Sequence, residues 1–196
     1  MRPPRLPPVR PDAASLHEAA LDYLARYSAT AATLRRVLQR RVQRWARAAA
    51  ETGEEGIEAA RAPLAAAIEA EIARMVALGA VNDAEFAASR ARSLSRSGRS
   101  ARFIAAHLAA RGVTGATLRD VLPGSDEEGS RTELAAALAL ARRRRIGPFR
   151  PADKPHDPIR EQGILARAGF SHDTVERALA TEPDQAEDLV IALRRE

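Results

Sequence analysis

The chain has no cysteine, so neither a disulfide scaffold nor thiol chemistry is open to it. Lysine is almost missing as well. Lys154 is a lysine, and the other 30 of the 31 basic residues are arginine. A phosphate-gripping loop of the Walker type needs a lysine in a glycine-rich run. Lys154 lies in ADKPHDP, which is not such a run. Aromatic residues make up 4%, as four Phe, two Tyr and one Trp. Uncharged runs are short, none exceeding eight residues, whereas a membrane span needs about 18. The opening MRPPRLPPVRP has no apolar stretch of the kind a signal peptide carries. No strand-like alternation stands out. These absences predict a soluble, cytoplasmic chain with no β-sheet.

What is present is alanine, arginine and a helical period. Alanine accounts for 44 of 196 residues, about half of the apolar content, and it has the best helix propensity. A core must therefore rest on Leu, Ile and Val. The formal charge of +5 is distributed in blocks: residues 1–50 carry +7, 51–90 carry −5, 91–150 carry +7 and 151–196 carry −4. Two basic zones alternating with two acidic ones suit contact with a polyanion or an acidic protein surface. Solvated helix faces with local ion pairs account for the same pattern.

Residues 1–14, rich in Pro and Arg, read as a disordered tail. Leu16, Ala20, Leu24 and Tyr27 form one apolar stripe, and Ser28 or Thr30 can cap the next helix. That helix, about 30–50, spaces Leu34, Leu38, Val42 and Trp45 on one face. Arg36, Arg40, Arg44 and Arg47 repeat the spacing on the other side, a basic stripe roughly 16 Å long. Arg41, close to the apolar stripe, is expected to pair with a carboxylate. ETGEEG (51–56) interrupts the pattern as an acidic loop. Leu64, Ile68, Ile72 and Met75 follow, ending at Gly79.

Asn82 and Glu85 have capping-box spacing. They open a helix with Phe86, Ala87, Ala91 and Leu94 inward and Arg92 and Arg96 outward. SRSGRS (95–100) is a turn. The next helix, about 101–111, buries Ile104 and Leu108 and turns Arg99 and Arg102 outward. A short helix with Leu118, Val121 and Leu122 ends at Pro123-Gly124. Ser125–Ser130 reads as a polar loop, 131–145 as a helix, and 150–158 as a proline-rich loop. Two short helices then surround Gly169-Phe170-Ser171, and 183–196 reads as a frayed helical tail.

The pattern repeats. With Gly112 set on Gly169, Leu108 falls on Leu165, Val113 on Phe170, Thr114 on Ser171, Leu118 on Val175 and Leu122 on Leu179. Shifted by 70, Leu34 and Leu38 fall on Ile104 and Leu108. The fold expected is therefore all-α, an elongated tandem array of three-helix repeats. The repeats span 15–81 (with an expanded 43–63 segment), 82–124 and 125–182, followed by the 183–196 tail. Chance matching of leucine-rich helices is the competing explanation.

Catalytic signatures are not found. Gly98-Arg99-Ser100 begins like a nucleophile elbow, but Arg102 replaces the final Gly and no strand precedes it. His17, His107, His156 and His172 make no i,i+4 pair and no His-Glu-x-x-His, and His17 and His107 read as helix-surface residues. No enzyme, metal or cofactor is expected. What remains is binding, with Arg142, Arg143, Arg144 and Arg145 forming a basic cluster round a helix end. Helix-dipole complementation is the alternative account of that cluster. The outward Arg92, Arg96, Arg99 and Arg102, with Arg36, Arg40, Arg44 and Arg47, are further candidates for partner or phosphate contact.

A set of short motifs occurs in order. They are Ala20-Leu21-Asp22-Tyr23-Leu24, Leu34-Arg35-Arg36-Val37-Leu38, Gly79-Ala80-Val81-Asn82-Asp83-Ala84-Glu85-Phe86-Ala87, Gly98 to Ile104, Leu108 to Val113, and Arg167-Ala168-Gly169-Phe170-Ser171. Over about residues 16–180 this set resembles the RecX family, small regulatory partners of the RecA recombinase. The resemblance implies tandem three-helix repeats and a non-catalytic protein in the groove of the RecA–DNA filament. It also implies modulation of that filament, usually inhibition of its extension, recombinase activity and ATPase, in DNA repair, recombination and SOS control. Arg111 stands where Lys is common, and Val81-Asn82-Asp83 where Leu-Asp-Asp is common. The 43–63 insertion and the Pro-Arg tail are not general in the family.

The expected partner is thus the RecA nucleoprotein filament, with weak nucleic-acid contact through arginine faces, no membrane contact, and a monomer favoured. The competing function is a direct DNA-binding regulator of helix-turn-helix type. Single-strand binding relies on stacking aromatics, and several of the seven here are needed for the core. DNA contact is therefore expected to be electrostatic, log affinity falling by roughly 0.9 per phosphate for each log unit of salt.

Overall fold

The computed structural model describes residues 9–195. The expectation of a disordered tail lies, for residues 1–8, outside the described residues. Among those described, ten α-helices and one 3-10 turn form, with no strand. This is the all-helical class that the apolar periodicity predicts. The helices are α1 (Ala13–Leu24), α2 (Ala31–Glu51), α3 (Ile57–Ala77), α4 (Asp83–Arg96), α5 (Ala101–Ala109), α6 (Gly115–Val121), α7 (Glu127–Arg144), α8 (Pro158–Arg167), α9 (His172–Ala180) and α10 (Pro183–Arg195). The 3-10 turn is Gly147–Phe149. The chain forms two compact units, one through Phe86 and one from Ala87.

In the first unit, α1 starts at a reciprocal cap. The Asp12 carboxylate accepts from Ser15 N–H at 2.8 Å, and the Ser15 hydroxyl accepts from Asp12 N–H at 3.0 Å. The bond from Ser15 holds the Asp12 carboxyl below its usual range. The helix therefore begins at Ala13, inside the segment read as tail. Of the two expected caps for α2, Thr30 serves, accepting from Thr33 N–H at 3.1 Å. Leu16, Leu34, Leu38, Trp45, Leu64, Ile68, Ile72 and Met75 are all buried in one core. Each buried leucine contributes about 1.5–3 kcal/mol, against about 0–1 kcal/mol for an exposed ion pair. The apolar stripe rather than the charges thus sets which face α2 turns to α3.

Three further expectations fail in this unit. Tyr27 is 57% exposed, because α1 ends at Leu24 and leaves Tyr27 beyond the helix, its ring centroid 5.2 Å from that of Tyr23. Arg41 is exposed and has no carboxylate partner among the described residues. His17 is not a plain surface residue, since it is half-buried with Nδ1 2.8 Å from Oε1 of the buried Glu71. The Trp45 indole N–H is buried without a partner among the described residues.

The second unit is organised on α7, which buries Leu134 through Leu138, Leu140 and Ala141. Ala135, Ala136, Ala137 and Ala141 keep this surface shallow, so α9 and α10 approach closely. Ser125–Ser130 is not all loop. The Asp126 carboxylate accepts from Gly129 N–H at 2.9 Å and starts α7 at Glu127. Gly129 permits this because a Cβ there would lie 2.1 Å from Gly124 O. The tail is a regular helix, α10, burying Ala186, Leu189, Val190 and Leu193.

The two aligned turns share one hydrogen-bond pattern. Val113 N–H bonds to Leu108 O, and Phe170 N–H to Leu165 O, each across a glycine of positive φ, Gly112 at 85° and Gly169 at 94°. The helices that follow differ. Ser171 caps α9 through Thr174 N–H at 3.2 Å, and α9 buries Val175 and Ala178. Thr114 makes no side-chain cap, and α6 fully buries none of its residues.

Candidate functional site

The arginines fall into three sets by what they touch. On α2, Arg36, Arg40, Arg44 and Arg47 are all exposed, as the spacing predicts. Arg36 and Arg40 lie along the helix, their Nε atoms donating to Ala32 O at 3.3 Å and Arg36 O at 3.2 Å. Arg35, one position out of the row, grips Glu69 with two bonds of 2.7 and 2.8 Å. That fork lowers the Glu69 carboxyl and raises the Arg35 guanidinium. An open groove of about 590 Å³ between α2 and α3 runs past Arg47, floored by Val42, Ala46 and Ile68.

The second set lies on α4 and α5. The amide side chain of Asn82 accepts from the N–H groups of Ala84 and Glu85, both at 3.1 Å, and so starts α4. Arg92 and Arg96 are exposed and line a cavity of about 290 Å³ with Ile104, Asp120 and Leu122. Arg99 and Arg102 are also exposed. Among the described residues no carboxylate lies within ion-pair distance of any of these four.

Arg99 does have a neighbour. Its Cζ sits 4.6 Å from the centroid of the Phe103 ring. Phe103 in turn stacks on His107, centroids 6.0 Å apart with the planes at 27°. Arg90, on α4, donates its Nε–H to His107 Nε2 at 3.1 Å, and Arg111 donates to His107 O at 3.1 Å. Burial, followed by the charges of Arg111, Arg90 and Arg99, pushes the imidazole below its ordinary value. The ring is therefore neutral, with Nε2 accepting and the proton on Nδ1. His107 is not a simple surface residue, and Phe103, His107 and Arg90 were missed by sequence reasoning. The signal that could have found them is the interval of four through Arg99, Phe103, His107 and Arg111.

The third set is the arginine run, which the structure divides. Arg142 pairs with Glu187 of α10 at 3.0 Å. Arg143 donates to Ser97 O at 2.8 Å. Arg144 and Arg145 are exposed, and Arg145 closes α7 in the left-handed region at φ 55°. Arg150, just beyond, has a structural task. It donates to both oxygens of the buried Glu161, at 3.0 and 3.2 Å, while Glu161 also accepts from Gly147 N–H at 3.0 Å.

Among the described residues no group of three or more His, Asp or Glu side chains could hold a metal ion. No helix among them is long and apolar enough to cross a membrane.

The fold defines an all-helical protein, with no strand among the described residues. The family model for the second three-helix domain of RecX matches residues 82–122, the span of α4, α5 and α6. The regulatory protein RecX of Myxococcus xanthus is 39% identical over 170 residues, 86% of each chain. The regulatory protein RecX of Agrobacterium fabrum is 31% identical over 112 residues, 57% of this chain and 58% of that one. No solved structure matches significantly. The chain belongs to the RecX family of regulatory proteins.

Proposed function

We propose that this chain is a non-catalytic cytoplasmic regulator that binds the RecA–DNA filament and lowers its recombinase and ATPase activity. The observation that carries this reading is the 39% identity, over 86% of the chain, to a protein named for regulation. The modules 15–81, 82–124 and 125–182 act as serial contacts, each weak and gaining from the effective concentration set by its neighbours. Exposed Arg92, Arg96, Arg99 and Arg102 supply positive charge toward acidic protein or DNA phosphate. The protein acts as a monomer, with no cofactor.

Co-sedimentation with RecA filaments on single-stranded DNA tests the proposal. Wild type should pellet with the filament and reduce ATP hydrolysis at substoichiometric amounts. Arg99→Glu/Arg102→Glu should weaken both effects, and Arg144→Glu/Arg145→Glu reports on the helix end. Arg142 and Arg143 are left intact because they hold α10 and the α4–α5 turn. No effect on hydrolysis at equimolar protein would overturn the reading.

A further inference from the structure

Four side chains follow one another at an interval of four along α5 and the turns at its two ends: Arg99, Phe103, His107 and Arg111. The contacts between them are physical as well as sequential. A guanidinium lies over a phenyl ring at 4.6 Å, and the phenyl ring stacks on an imidazole at 6.0 Å. A second guanidinium, Arg90, holds that imidazole from α4. Phe103 remains 37% exposed. No carboxylate lies within ion-pair distance of Arg90 or Arg99 among the described residues.

This composition restricts what can sit there. Elsewhere in the molecule Arg35 faces Glu69, Arg142 faces Glu187 and Arg150 faces Glu161. Here Arg99 and Arg90 meet the partly exposed Phe103 and the half-buried His107 instead. A ligand matched to that surface needs negative charge for Arg90 and Arg99 and a flat π-face for Phe103 and His107. Unpaired nucleotides combine the two, since each base is tied to its own phosphate and every base has a π-face. A duplex offers phosphates but keeps its bases stacked inside.

We propose that the Arg99–Phe103–His107 face, flanked by Arg90, binds unpaired single-stranded nucleic acid, a base stacking on Phe103 and a phosphate meeting Arg99 and Arg90. The site needs no recombinase, so it stands or falls separately from the filament-binding function. It differs from the expectation of purely electrostatic contact, because four residues of local sequence and one from α4 come together in a way that the aromatic count alone does not reveal.

The test uses the full chain and fluorescein-labelled oligo-dT and oligo-rU of about 20 nucleotides, with a duplex of the same length, read by anisotropy. Wild type should bind both single strands and bind the duplex more weakly. Phe103→Leu should weaken single-strand binding about tenfold, the scale of one base–aromatic stack, and leave duplex binding unchanged. Phe103→Trp should retain binding and show quenching of indole fluorescence by oligo-dT beyond that of wild type, whose Trp45 is buried. This second variant keeps the test decisive should Phe103→Leu unfold. Preference of dT over rU, or the reverse, identifies which nucleic acid supplies the strand. Equal affinity for duplex and single strand, or Phe103→Leu binding like wild type while Arg99→Gln weakens both substrates alike, would overturn the proposal. So would the lack of any binding to single strands at low salt.

Discussion

The hydroxyl of Ser100 donates a hydrogen bond to the backbone carbonyl of Ala168, at 2.8 Å and across 68 residues of sequence. Ser100 is fully buried and also caps α5, accepting from Phe103 N–H at 3.3 Å. One small side chain thus starts a helix and satisfies the carbonyl of Ala168, the C-cap of α8. Gly169 makes room for it, because a Cβ there would lie 2.7 Å from Ser100 Oγ.

Ser100→Ala should lose a cap and leave a buried carbonyl unsatisfied, a cost of about 2 kcal/mol. Gly169→Ala should cost about 3 kcal/mol, from the steric clash and from φ 94°. The double variant should be more stable than the sum of the two by about 1 kcal/mol, since removing the hydroxyl removes the obstruction. Urea unfolding of the four chains measures the coupling, and strict additivity would contradict it.

Arg150→Ala should destabilise by about 2–3 kcal/mol, because it leaves the buried Glu161 side chain with Gly147 N–H alone. Adding Glu161→Gln to that variant should restore part of the loss, since a neutral amide still accepts from Gly147. Thermal or urea unfolding reads both. A loss confined to Arg142→Ala instead would mean that the pair with Glu187 is the stronger tie.

Glu133 accepts from Ala101 N–H through both oxygens, at 3.2 and 2.9 Å. Burial raises its carboxyl above the ordinary value, opposed by that bond. A raised folded value means the folded state binds more protons. The stability this group contributes is therefore full below about 4.5 and lost as pH rises through the folded value. Glu133→Gln should remove that slope and be at least as stable as wild type at pH 7.5. Parallel stability curves for the two chains between pH 4.5 and 7.5 would refute it.

His107 runs the other way. Its folded value is depressed, so its contribution is full above about 6.5 and is lost as pH falls through the folded value. The imidazole carbon resonances of His107 should titrate below 6.5. In Arg90→Gln the midpoint should rise, because one adjacent positive charge is gone. A midpoint at the ordinary value in wild type would show that the ring is not held beneath the arginines.

Arg145 occupies a left-handed position that glycine adopts freely. Arg145→Gly should stabilise the chain by up to about 1 kcal/mol, and Arg145→Val should destabilise it, because a β-branched side chain fits that region poorly. Differential scanning calorimetry distinguishes the two. Equal melting points would place no strain at this residue.

Much of the helical framework can be read along the chain because a helix writes its buried face at a fixed period. Leu34 and Leu38, Ile104 and Leu108, and Leu64, Ile68, Ile72 and Met75 are buried as that period demands. Gly112 and Gly169 take positive φ where the repeat places a turn. The start of α7 is harder to read, because it depends on Gly129 lying against Gly124 rather than on apolar spacing. The site is legible only as exposure: every arginine expected to face outward from α2, α4 and the start of α5 does so.

The sequence by itself determined the helical class, the repeated glycine turn, the leucine-based cores and membership in the RecX family. Those properties depend on local propensity, on period and on ordered motifs, all of which are properties of neighbours along the chain. Tertiary structure alone decided which arginines are spent. Arg35, Arg142, Arg143 and Arg150 are tied to Glu69, Glu187, Ser97 and Glu161, while Arg99 lies on Phe103. A guanidinium has the same charge in every position, and its partner is whichever acceptor packing brings within about 3 Å, often from tens of residues away. That distance has no signature in local spacing.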